Sequence, residues 1–240
     1  MSKINLIAIL FLMGIFFSAC STVQPSLQTS PTEEPAPQPD LSLTSQERLK
    51  AVRADWKLGH YEAVVAKTGE ISCTASDTGC NELLLISGHA CFRVSNYKCA
   101  ANYLELGMQQ TEAWHFDALG FNRQKTHLNL LESLRSIQGT EKGEAWNKVN
   151  ERLLNRTQEF IALEPKNPVG AFFLGSAQFA RVRKELSNPK DARRLCRELG
   201  SILSALQKAG SPSSSIRYET YYRQLLSDIS VAQQGISGCS

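Results

Sequence analysis

From residue 44 to the end of the chain, apolar residues recur at helical spacing, and the alternation that marks strands is nearly absent. That pattern limits the fold more than any other feature. Thr44 followed by Glu47 reads as a capping box, opening a helix with Leu49, Val52 and Trp56 along one side. Gly59 ends that helix and a second starts near Tyr61. Further helices are expected near 81–94 and 97–109. A longer apolar series follows in Phe121, Leu128, Leu131, Leu134 and Ile137, and another in Trp146, Val149, Leu153, Phe160 and Ile161. Asn167-Pro168, Asn188-Pro189 and Ser211-Pro212 each set a capping residue before a proline suited to a first helical position. The last two helices carry Leu195, Leu199, Ile202 and Leu206, then Tyr218, Tyr222, Leu225 and Ile229. The expectation is an all-α domain over 44–240, of about nine helices joined by short turns.

Two segments of this domain look alike. Lys57-Leu58-Gly59-His60-Tyr61-Glu62-Ala63 and Arg93-Val94-Ser95-Asn96-Tyr97-Lys98-Cys99-Ala100 each set a tyrosine just after a tight turn. A third, Leu163-Glu164-Pro165-Lys166-Asn167, runs into Phe173-Leu174-Gly175-Ser176-Ala177. The spacing resembles the tetratricopeptide repeat, a helix–turn–helix unit of about 34 residues. In that family a glycine on the first helix lets the second pack closely; Gly88 and Gly175 fit that site, and Ala100 fits the small residue opposite. The resemblance is clearest over 49–108 and 161–182 and is lost between 110 and 160, where the helices look too long. It implies an α-solenoid whose first helices line a concave groove. That face would carry Arg53, Trp56, Lys57, His89, Phe92 and Arg93, then Phe172, Ser176 and Phe179. Aromatics beside arginines suit binding hot spots, and suit a helical core equally well. The natural ligand of such a groove is an extended or helical peptide.

The first 43 residues have a different character. Lys3 precedes an almost unbroken apolar run from Ile4 to Phe17, followed by Ser18-Ala19-Cys20-Ser21. A run of that length is too short to span a bilayer as a helix and reads as a secretory signal over 1–19. A cysteine directly after small residues resembles the lipobox of bacterial lipoproteins, although Phe17 stands where that family prefers leucine. The resemblance implies cleavage before Cys20, acylation of Cys20 and stable tethering to a membrane. In the family's sorting rule, Ser21 implies the outer membrane, facing the periplasm. Residues 20–43 hold Pro25, Pro31, Pro35, Pro37 and Pro39 among polar residues, a composition that favours a disordered, extended spacer.

Cysteine usage agrees with export. Of seven cysteines, Cys20 is assigned to lipidation, leaving the even set Cys73, Cys80, Cys91, Cys99, Cys196 and Cys239. Placed on the helical scaffold, Cys73 and Cys80 bracket the turn between the second and third helices. Cys91 and Cys99 flank the next turn, and Cys196 is left for Cys239 at the C-terminal end. Cys91 could equally be a buried small hydrophobe. No CxxC occurs, and no cysteine pair has the separation of a zinc site.

A search for chemistry finds no catalytic constellation. Gly-rich phosphate loops, GxSxG and HExxH are absent. Ser95-Asn96-Tyr97-Lys98 and Ser187-Asn188-Pro189-Lys190 match SxxK spacing without companion motifs, and Glu132-Ser133 resembles the Glu-Ser pair of lytic transglycosylases without that family's motif order. His60, His89, His115 and His127 lack partners at ligand spacing, with His127 expected on a polar flank. No enzyme activity, metal or cofactor is expected. The net charge of +3 is too small to argue for nucleic acid. One cluster stands out: Arg181, Arg183, Lys184 and Lys190, then Arg193, Arg194 and Arg197, against Glu185 and Asp191. It suits an acidic partner, cell-wall carboxylates or anionic headgroups, and is also what a solvated helical face looks like.

These readings converge on an outer-membrane lipoprotein whose helical-repeat domain is a protein-binding scaffold for an envelope assembly. The alternatives are a tethered solute-binding accessory of a transporter and, third, a cell-wall-acting enzyme. The expected partners are a segment of an envelope protein, the membrane through the N-terminal lipid, and the cell wall.

Overall fold

The computed structural model describes residues 44–69, 79–109, 119–186, 191–213, 215–237 and 239. The signal segment 1–19, Cys20 and the spacer lie outside them. Among the described residues there are nine α-helices and no strand: α1 (Ser45–Leu58), α2 (Tyr61–Thr68), α3 (Cys80–Arg93), α4 (Tyr97–Gln109), α5 (Arg123–Thr140), α6 (Gly143–Leu163), α7 (Pro168–Leu186), α8 (Ala192–Ala209) and α9 (Ile216–Gln234). None of them is long and apolar enough to cross a membrane.

The helix ends follow local chemistry. At α1, the Glu47 backbone N–H donates to Thr44 Oγ1 at 3.3 Å and the Thr44 N–H donates to Glu47 Oε2 at 3.0 Å, the reciprocal capping box. Gly59 closes α1 with φ 76°, a conformation that costs a side chain dearly. Pro168 opens α7, with Asn167 Oδ1 accepting from the Val169 N–H at 3.1 Å. Two expected starts move. α8 begins at Ala192, where the Asp191 carboxylate accepts from the Arg194 N–H at 2.9 Å; Asn188 and Pro189 lie outside the described residues. α9 begins at Ile216, and Ser211-Pro212 belongs to the preceding turn, where the Pro212 carbonyl accepts from the Ser215 N–H at 3.2 Å. A proline's fixed φ suits a turn as well as a first helical position, so only the packing separates the two.

Every substantial packing contact is local along the chain. Each helix packs on the next, and α1 also meets α3, α3 meets α5, and α7 meets α9. This nearest-neighbour pattern is that of a helical-repeat solenoid. Glycines set the tightest approaches. A Cβ on Gly88 would lie 2.9 Å from the Leu104 backbone N, so α3 and α4 touch there backbone to backbone. The small-residue site opposite Gly88 is therefore the main chain at Leu104 rather than Ala100, which is buried elsewhere in α4. At Gly175 the same Cβ would meet Leu206 of α8 at 3.0 Å. α5 and α6 run to 18 and 21 residues, against 14 and 13 for α3 and α4, which is why the repeat phase is lost in the middle of the chain.

Two disulfides pin the solenoid. Cys91 and Cys99 join α3 to α4 with Cα atoms 5.7 Å apart, and Cys196 of α8 binds Cys239 with Cα atoms 5.4 Å apart. Cys80 is also disulfide-bonded; Cys73 lies outside the described residues.

Candidate functional site

The two halves of the expected groove end differently. In the N-terminal half the inner face is already occupied. Trp56 of α1 donates its indole N–H to the Leu119 carbonyl at 2.8 Å, and Phe121 sits edge-on to Trp56 with ring centroids 5.8 Å apart. Phe121 also stacks on His89 at 4.3 Å. His89 is only 1% exposed, so it is a core residue and not a groove residue. Its hydrogen bonds form one directed chain. The Thr126 hydroxyl donates to the Asn122 carbonyl at 2.8 Å, so its oxygen accepts from His89 Nε2 at 3.0 Å. His89 Nδ1 is then the acceptor for the Asn129 amide at 2.8 Å. Burial, with Lys125 and Arg93 nearby, lowers its pKa to about 3, so the ring is neutral.

The neighbouring groove candidates are also committed to the fold. Arg53 Nε donates to Glu82 Oε1 at 2.6 Å, clamping α1 to α3. Phe92 packs edge-on to Tyr97 at 6.1 Å, and Arg93 lies over the Tyr61 ring at 5.7 Å. Lys57 is exposed on α1.

The C-terminal half opens into a cleft. The backbones of α5 and α7 do not approach one another as those of α1 and α3, α3 and α5, and α7 and α9 do. The gap is a cavity of about 630 Å³, lined by Arg135 and Gln138 of α5, Trp146 of α6, Phe172, Ser176 and Phe179 of α7, and Tyr221, Leu225 and Asp228 of α9. All three groove residues expected on α7 therefore line one site. Arg183 and Lys184 from the basic cluster stand at the same cleft, with Lys142 and Glu141 from the α5–α6 turn. The groove and the basic cluster, read separately in the sequence, meet here.

Aromatic rings dominate the cleft floor. Phe172 stacks near-parallel to Tyr221 at 6.5 Å and packs edge-on to Phe173 at 5.2 Å. Arg135 faces both Phe172 and Tyr221, its guanidinium carbon 5.3 and 4.7 Å from the two ring centroids. The Lys184 ammonium lies 3.3 Å from the Trp146 ring centroid. Burial lowers the Arg135 pKa, with Tyr221 and Glu132 opposing, and an arginine so perturbed remains charged. Beside it, Glu132 of α5 accepts from the Tyr218 hydroxyl and pairs with Arg217 at 2.9 Å, tying α5 to α9. Burial and the Glu132 charge raise the Tyr218 pKa.

Arg135 and Tyr221 were missed in the sequence, though one signal was present. Leu128, Leu131, Arg135 and Gln138 follow helical spacing along α5, so a charge and an amide take apolar slots on the inward stripe.

The remaining candidates are structural. Arg194 donates to Glu198 at 2.7 Å and pairs with Glu185, so the cluster is partly neutralised, with Glu198 an acid that the local count omitted. Arg181 lies 4.0 Å from Glu198. Arg193 and Arg197 are exposed without an ion pair among the described residues; Lys190 lies outside them. Lys98 of the SxxK spacing is paired with Glu141 at 2.6 Å. His127 is buried at 2% exposure rather than on a polar flank, 6.1 Å from the Phe160 ring, with neither ring nitrogen hydrogen-bonded. Burial and then Arg123 lower its pKa to about 4.

No group of metal-ligating side chains occurs among the described residues. No family model, no curated protein and no solved structure matches this chain.

Proposed function

We propose that the chain is a lipid-anchored envelope lipoprotein whose solenoid is a protein-binding scaffold, and that the α5–α7–α9 cleft is its binding site. The observation that carries the reading is the cleft itself: a cationic rim around Arg135 and the exposed Tyr221 ring, between α5, α7 and α9. A pocket of this size that brings apolar and charged side chains from four elements together has the make-up of a recognition site. The rim residues Lys142 and Arg183 are exposed, so a chain segment can lie across the opening; this favours a polypeptide over an enclosed solute. The N-terminal signal and Cys20 supply the export and tether parts of the proposal, through their resemblance to the lipobox.

Gly139 gives a clean test. It borders the cleft in α5, and a Cβ added there meets nothing within 4 Å. Gly139→Trp should fill the opening without disturbing the core. In-cell crosslinking and pull-down with the full chain should enrich a few envelope proteins. Cys20→Ala should weaken that enrichment and Gly139→Trp should abolish it. An unchanged set of partners with Gly139→Trp would refute the cleft as the site, and no enriched envelope protein would refute the scaffold.

A further inference from the structure

The cleft holds a cation that the fold leaves unpaired. Several charges near it are paired, and those without a partner among the described residues, such as Lys142 and Arg183, are exposed to solvent. Lys98 holds Glu141 at 2.6 Å, Arg156 holds Glu159 at 2.8 Å, and Arg217 holds Glu132 at 2.9 Å. Arg135 differs in being partly buried as well as unpaired. Among the described residues it makes ring contacts with Phe172 and Tyr221 and no hydrogen bond or ion pair. The acid one turn before it, Glu132, could have neutralised it but is engaged by Tyr218 and Arg217 of α9. A half-buried guanidinium with no acceptor among the described residues keeps its N–H groups open to an incoming one, in a setting where a charge-assisted bond is stronger than in water. Arg135 lines the cleft, so an acceptor that enters it can reach the guanidinium N–H groups that the rings do not satisfy.

The surrounding charges agree. Arg135, Lys142, Arg183 and Lys184 stand against Glu141 and Asp228 in the lining, four cations to two anions. Glu141 is already paired with Lys98, and Asp228 accepts from Gln224 at 2.7 Å. The accessible ring beside Arg135 is Tyr221, 36% exposed, backed by the buried Phe172. We infer that Arg135 anchors a carboxylate on the bound segment of the partner protein, so that the cleft selects an acidic residue adjoining an aromatic or aliphatic one. This rests on the cleft being the binding site. The carboxylate takes the planar N–H fork of Arg135, in a setting where a charge-assisted bond gains from partial burial, and the neighbouring apolar side chain packs against the exposed Tyr221 ring. Lys142 and Arg183, at the rim, assist approach more than hold.

The probe is a displayed library of random short peptides, panned on the full chain in detergent. One enriched peptide is then synthesised with its acids intact and with Asp/Glu replaced by Asn/Gln. The inference expects enriched peptides to pair an acid with an apolar neighbour. It also expects the amide copy to bind at least about tenfold more weakly, as loss of a charge-assisted bond implies. Arg135→Gln should bind both copies alike, and Arg135→Lys should recover only part of the preference, because it keeps the charge and loses the planar fork. Acid-free enriched peptides, equal binding of the two copies, or no enrichment at all would each overturn the inference. The copy comparison uses the wild-type protein, so it holds even if an Arg135 variant folds poorly. Peptide binding that survives Gly139→Trp condemns the cleft reading; binding that Gly139→Trp removes, with equal affinity for both copies, condemns only the carboxylate.

Discussion

Replacing Gly88 with alanine sets two known effects against each other. Alanine is the better helix former, a gain of up to ~1 kcal/mol in a helix interior. The added Cβ would lie 2.7 Å from Leu104 Cγ and 2.9 Å from the Leu104 backbone N. The side chain could rotate away, but the backbone N belongs to α4 and moves only if the α3–α4 hairpin opens. The Cys91–Cys99 disulfide, one turn further along, resists that opening. Overpacking costs ~1–3 kcal/mol, and against backbone that cannot rotate away the upper part of that range applies, so the net effect is a loss of about 1–2 kcal/mol. For a domain of this size that is a fall in Tm of up to roughly 8 °C. Gly139→Ala is the internal control: its Cβ meets open space, so the propensity gain stands alone and Tm should rise by roughly 2–4 °C. Thermal unfolding followed by circular dichroism reads both. A Gly88→Ala protein as stable as the wild type would show that α3 and α4 are not in backbone contact, and the argument for close packing at that glycine would fail.

Two further predictions follow from the buried histidines and the disulfides. His89 and His127 have folded pKa values lowered from 6.5 to about 3 and about 4. Protons therefore bind preferentially to the unfolded chain, and the stability held above about pH 6.5 is lost as pH falls through the window down to those values. At pH 5 each histidine should cost about 2 kcal/mol, read as a lower urea midpoint than at pH 7; His127→Leu should remove its share and cost little at pH 7, because neither ring nitrogen has a partner to lose. An unchanged midpoint at pH 5 would contradict the neutral assignment. Replacing both Cys196 and Cys239 by serine opens a separation of 43 residues, worth about 4 kcal/mol in the chain-entropy model, against about 2.5 kcal/mol for Cys91 and Cys99 with a separation of 8. Denaturant melts of the two double variants should rank in that order, and the reverse order would show that the loop entropy is not what these bonds act on.

The all-helical class and most helix boundaries were legible along the chain, because capping and amphipathic spacing are interactions over three or four residues. Thr44 with Glu47, Gly59 and Asn167 with Pro168 act within one turn, and the structure uses each as read. The pair Cys91–Cys99 was likewise placed by which helices must be neighbours, and Cys196–Cys239 followed by elimination. The limits of such reading show at Ser211-Pro212, where one local conformation serves a turn and a helix start alike.

What the chain alone left open was which inward-facing residues form a core and which form a site. Trp56 and His89 share the spacing of Phe172 and Phe179, and all but the partly buried Trp56 end in the core, yet Leu119 and Phe121 close over the first pair while a cleft bordered by Arg135 and Tyr221 opens beside the second. That difference depends on where a segment more than 60 positions away comes to rest, Leu119 lying 63 residues from Trp56. Arg135 is the sharper case. Its own turn offers it Glu132, and a helix reads that pair as a local ion pair. Only the arrival of Tyr218 and Arg217 from α9 takes the acid away and leaves the guanidinium facing the cleft. Spacing determines the face a residue presents, and tertiary packing determines what meets that face.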